Sequence, residues 1–138
     1  MNLTVSHTFI AVLDQRQALE FYRDVLGLEV RTDAEMGPEY RWLTVGPKGQ
    51  PDLEIMLEPA GMGRSPEDAQ AIKALVAKGA LVPLIFATDD VDEVFERLGK
   101  AGAEVLQEPI DQPYGVRDCA FRDPFGNHLR FSQPLPGS

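Results

Sequence analysis

The stretch SHTFIAVLDQRQALEFYRDVLGLEV, Ser6–Val30, changes its hydrophobic period twice, and those changes define the repeating unit of the fold. SHTFIAVL is a short apolar run with a β-branched and aromatic bias, which predicts a strand. In DQRQALEFYRDVLG the residues Ala18, Leu19, Tyr22, Val25 and Leu26 recur at helical spacing. Asp14 is placed to cap this helix and Gly27 to end it in a left-handed conformation, after which LEVRTD resumes as a strand. YRWLTVG and DLEIMLEP predict two more strands around the turn-forming PKGQP.

The same order restarts at Leu81. LVPLIFAT predicts a strand, and DDVDEVFERLGKAG a helix with Val91, Val94, Phe95 and Leu98 on one face. AEVLQEP, GVRDCAFRD and NHLRFSQP predict three strands, the last two joined by the turn DPFG. A shift of 75 aligns Ile10 with Ile85, Asp14 with Asp89, Gly27 with Gly102 and Val30 with Val105. A shift of 76 suits the final strands, bringing Leu53, Glu54 and Ile55 onto Leu129, Arg130 and Phe131.

The chain therefore reads as a single α+β domain of two βαβββ modules, residues 1–58 and 81–134, forming a cupped mixed sheet with helices outside and a groove inside. Residues 59–80 read as a connector whose own helix starts at Ser65 and Pro66. With 138 residues the chain suffices for one compact core. A formal charge of −9 argues against a nucleic-acid partner, which would need a basic surface. No apolar run suits a membrane span and no signal peptide is evident, so a cytoplasmic location is expected. The single cysteine, Cys119, offers neither a disulfide nor a thiol cluster and reads as a strand filler.

On SHTFIAVLDQRQALEFYRDVLGLEV, VDEVFERLGKAGAEV and YGVRDCAFRDPFGNHLRF, the chain resembles the vicinal oxygen chelate superfamily of glyoxalase I, bleomycin-resistance proteins, fosfomycin-resistance enzymes and extradiol dioxygenases. The resemblance implies paired βαβββ modules, a homodimer and a small organic molecule in the groove. Metal-dependent members of that superfamily hold a divalent cation (Fe, Zn, Ni or Mn) through side chains on the first and last strands of the two modules. Carried across, these positions are His7 and Glu54 in the first module, and Val82 or Pro83 with Arg130 in the second. Neither Val82 nor Pro83 has a donor atom, and a guanidinium stays protonated, so half of the ligand set is missing and no metal cofactor is expected. His128, two residues before Arg130, offers an alternative set with His7 and Glu54.

The alternation of the final strand sends His128 and Arg130 to the groove and Leu129 and Phe131 to the helices. Arg130 is then expected to pair with Glu54 or with Asp118, whose face a change in the hairpin would reverse. Tyr40 and Trp42 share one parity, and either they or Arg41 and Leu43 look into the groove. Tyr114, flanked by Pro113 and Gly115, reads as a rim residue. The candidate ligand-binding residues are thus His7, Tyr40, Trp42, Glu54, Tyr114, Asp118, His128 and Arg130. Three functions remain open. The first is metal-independent binding or sequestration of an organic ligand, such as an antibiotic in a resistance protein. The second is a metal-dependent lyase or dioxygenase using His7 and Glu54. The third is a metal-free enzyme with Glu54 or Asp118 as base and Arg130 stabilising an oxyanion.

Overall fold

A computed structural model describes residues 1–137. The chain divides into two compact units, Met1–Ala74 and a second from Leu75 onward. The eight strands form two four-stranded mixed sheets, one for each βαβββ repeat, which is the expected α+β class.

The first unit contains β1 (His7–Val12), β2 (Glu29–Glu35), β3 (Arg41–Gly46) and β4 (Glu54–Pro59), ordered β1-β4-β3-β2. β1 lies parallel to β4, with His7 opposite Glu54, while β3 pairs antiparallel with both β4 and β2. One face is apolar: Ile10, Val12, Leu43, Val45, Ile55 and Leu57 are buried, as are Ala18, Phe21 and Tyr22 of the crossover helix. Gln15 fixes that helix to the sheet, donating from Nε2 to the carbonyls of Arg41 and Leu57 and accepting from the Arg41 amide. By strand alternation, the opposite face carries His7, Phe9, Thr32, Trp42, Thr44, Glu54 and Met56.

The crossover helix starts as predicted, with Asp14 accepting from the Gln17 amide. It begins as α1 (Gln15–Leu19) and widens into a π-helical segment, Glu20–Val25. The equivalent helix of the second unit, α3 (Val91–Lys100), is regular. The first helix is one residue longer from cap to left-handed glycine, Asp14 to Gly27 against Asp90 to Gly102. A π-turn accommodates such an extra residue while keeping both ends in place. It also explains why no single shift aligns the halves: the second cap is Asp90, which accepts from the Glu93 amide, and not Asp89.

The second unit contains β5 (Leu84–Ala87), α3 (Val91–Lys100), β6 (Glu104–Asp111), β7 (Val116–Arg122) and β8 (His128–Pro134), ordered β5-β8-β7-β6. β5 is shorter than the predicted LVPLIFAT because pairing begins only after Pro83, which has no amide hydrogen to donate. Leu129 and Phe131 are buried on the helix side with Cys119 and Phe121, and Phe95 of α3 packs on Phe121 at 5.5 Å. Burial pushes the Cys119 thiol up to about 11, so it is inert filler. In the DPFG turn, Asp123 Oδ1 accepts from the amides of Phe125, Gly126 and Asn127. α2 (Pro66–Ala77) is the connector helix, with Ser65 Oγ accepting from the Asp68 amide at its start.

Candidate functional site

In the first unit the site face is organised by Glu54. Its Oε1 accepts from the hydroxyls of Thr44 at 2.6 Å and Thr32 at 2.7 Å, and its Oε2 lies 3.3 Å from His7 Nε2. The register builds this cluster, because Thr32 is opposite Thr44 and His7 is opposite Glu54. The two hydroxyls, followed by His7 and Arg31, hold the Glu54 carboxyl below its ordinary value despite partial burial. It is therefore an ionised acceptor with both oxygens engaged, and a weak base.

Beside it lies an aromatic group. Trp42 is on the same face as His7 and Glu54, with its ring 6.2 Å from the His7 ring and edge-on to Phe9 at 6.0 Å. Phe9 is exposed. This settles the parity left open by the sequence for Trp42. Tyr40 precedes β3 and is half-buried, with its backbone carbonyl accepting from the Met36 amide.

In the second unit the equivalent face is organised by Asp118, which is only 1% exposed. Oδ1 accepts from the side-chain amides of Gln107 at 2.8 Å and Gln112 at 2.9 Å. Oδ2 accepts from Arg130 Nη1 at 2.8 Å and from the Tyr114 hydroxyl at 3.4 Å. Gln107 Oε1 in turn accepts from Arg130 Nη1 at 3.1 Å, closing a ring of three side chains. Burial pushes the Asp118 carboxyl upward, but the donors Gln112, Gln107 and Arg130 outweigh it and the group is held below its ordinary value.

Of the two carboxylates expected to pair with Arg130, Asp118 is its partner, whereas Glu54 is engaged by Thr32, Thr44 and His7. The alternation that defines the site face brings Arg130 and Asp118 together, since Ala120 is opposite Arg130. Arg122, of the same parity, is instead committed to Glu104 and to the Gly126 carbonyl. Tyr114 is 67% exposed above Asp118. His128 differs from the expectation of a groove ligand: its Nε2 is sealed from solvent without a partner. Burial, then Arg130 and Arg122, lower its pKa, so it stays neutral.

Sequence reasoning did not single out Thr32, Thr44, Gln107 or Gln112. Thr44 shares its parity with Trp42, and that alternation was the available signal. Gln107 depends on an irregular register in β6, where the pairing shifts between Val105 and Ile110, and Gln112 lies just beyond that strand.

The metal positions of the resemblance can be tested on these residues. The residue opposite Arg130 in β5 is Ile85, which corrects the assignment to Val82 or Pro83, both outside the strand. Ile85 has no donor, and Arg130 is a cation tied to a buried carboxylate. Among the described residues no three histidine, cysteine, aspartate or glutamate side chains gather as metal ligands; of the alternative set, His7 and Glu54 belong to the first unit and His128, with its Nε2 sealed, to the second. Two of the four positions, Ile85 and Arg130, thus carry side chains that do not ligate a divalent ion.

Comparison with known proteins is consistent with this construction. The sequence pattern of the Glyoxalase/Bleomycin resistance protein/Dioxygenase superfamily matches residues 4–131. Uncharacterized protein YurT of Bacillus subtilis (strain 168) is 33% identical over 127 residues, covering 91% of this chain and 95% of YurT. The crystal structure of UcmS2 superposes with a TM-score of 0.86 at 38% identity, covering 96% of this chain and 98% of that one. TnmS3, described as an antibiotic binding protein from Streptomyces sp. CB03234, superposes with a TM-score of 0.74 at 32% identity, covering 96% and 97%. The paired βαβββ units and the matched sequence place this chain in the Glyoxalase/Bleomycin resistance protein/Dioxygenase superfamily.

Proposed function

We propose that this protein binds a small organic molecule without a metal, each unit offering its own face, that of Trp42 in the first and that of Arg130 in the second. The observation that carries this reading is the Arg130–Asp118 ion pair: a position where metal-binding relatives would carry a ligand holds a cation locked to a carboxylate. Around Glu54 the exposed aromatic surface of Phe9, with Trp42 and His7, suits a flat ligand, and the ionised carboxylate behind it suits one with a hydrogen-bond donor or positive charge. The description of TnmS3 as an antibiotic binding protein supports an antibiotic as the ligand.

The engaged carboxylates also bear on the enzyme readings. Glu54 and Asp118 are both held in the ionised state by donors that would have to be released for either to take a proton. The test uses Trp42, the sole tryptophan, as the reporter. Its fluorescence is titrated with metal-free bleomycin and a panel of planar aromatic antibiotics in the presence of a chelator. Saturable quenching that is lost in Phe9→Ala is expected; binding that requires an added divalent ion would overturn the reading.

A further inference from the structure

Arg130 uses only part of its guanidinium inside the protein. Nη1 donates to Asp118 Oδ2 and Gln107 Oε1, which commits both of its hydrogens. Nε and Nη2 have no partner among the described residues, and neither is sealed from solvent. Together they form the side-on edge of the guanidinium, two nearly parallel N–H bonds fixed in one plane.

The charge behind this edge is already compensated. Asp118 touches Nη1, is buried, and is held ionised by Gln107 and Gln112. An approaching anion would feel that carboxylate as well as the guanidinium, on a chain whose net charge is −9. An uncharged acceptor oxygen meets no such opposition and still receives two polarised hydrogens. Apolar side chains lie on the flanking strands. Ile85 is opposite Arg130 in the β5–β8 register and 59% exposed, Ile110 is exposed opposite Asp118, and the exposed Tyr114 ring is tethered to Asp118 by its hydroxyl.

We propose that the Nε–Nη2 edge of Arg130 is a binding subsite for an uncharged aryl carbonyl compound, an aromatic amide or ketone. Its carbonyl oxygen accepts from both nitrogens, and its ring lies against Ile85, Ile110 and Tyr114. This rests on the reading that the protein binds a small organic molecule, and it names the ligand's chemical class.

Benzamide and benzoate, alike in shape and different in charge, are the probes. They are titrated against the full chain while the Arg130 Nε–H and Gln107 side-chain amide resonances are followed by NMR. Benzamide is expected to shift both saturably, with benzoate on the order of tenfold weaker. Arg130→Lys keeps a charge beside Asp118 but lacks the free edge, and it loses the benzamide response. Asp118→Asn leaves the guanidinium unopposed and reverses the preference toward benzoate. Should that variant fail to fold, the Arg130→Lys comparison still decides the matter. Benzoate binding to the wild type as tightly as benzamide, or no response at Arg130 to either probe, overturns the proposal. Trp42 fluorescence in the antibiotic titration is read separately. A response there with a silent Arg130 removes this subsite and leaves small-molecule binding standing.

Discussion

Glu54 and Asp118 are both ionised carboxylates on a sheet face, but their partners differ. Glu54 relies on two threonine hydroxyls. Thr44→Val leaves Glu54 Oε1 with one donor and should cost about 1 kcal/mol at pH 7, measured by urea unfolding. Because the folded Glu54 pKa is depressed, its hydrogen bonds contribute fully above the unfolded value of about 4.3 and are lost as pH falls through the lower folded value. The difference between variant and wild type should therefore shrink on acidification into that range. Asp118 is more deeply committed. Asp118→Ala strands the Arg130 guanidinium and two glutamine amides, and should cost about 3–5 kcal/mol. His128 runs the other way, because its buried Nε2 has no partner to lose. His128→Phe is expected to leave the melting temperature at pH 8 unchanged or higher. Its advantage should widen toward pH 5, since a histidine whose folded pKa is depressed penalises folding as pH falls below the unfolded value of about 6.5.

At the scale of elements, local signals and tertiary ones separate cleanly. Asp14 and Gly27 are legible because a cap and a left-handed glycine act within a few residues of themselves. The π-helical segment Glu20–Val25 is not legible, since its apolar spacing matches an α-helix and only the comparison of the two helices exposes the extra residue. Pro83 and Pro109 mark a late strand start and an irregular ladder, but how far pairing is displaced depends on the neighbouring strand. The DPFG turn has a sharper consequence. Gly126 has φ +115°, and a Cβ there would lie 2.3 Å from the Val76 carbonyl oxygen of α2. Gly126→Ala should destabilise the second unit by more than about 2 kcal/mol and loosen α2 from the turn, which hydrogen exchange at Val76 and Ala77 would report.

For the molecule as a whole, the repeated order strand, helix and three strands was readable because caps, turns and hydrophobic period recur in both halves. The site was readable as a set of faces rather than as contacts. Parity put Arg130 and, under one of its two options, Asp118 and Trp42 on the sheet faces away from the buried apolar side, but parity cannot choose between two carboxylates for one arginine. That choice belongs to the register of β7 and β8 and to the glutamines of β6 and the following loop, which surround Asp118. The same contacts make metal independence the central claim. Its most direct test is elemental analysis of protein incubated with Fe, Zn, Ni and Mn salts and passed through a desalting column, beside Arg130→Glu and His7→Ala. The wild type should retain no stoichiometric metal; retention of one ion per chain that disappears in His7→Ala would contradict the account.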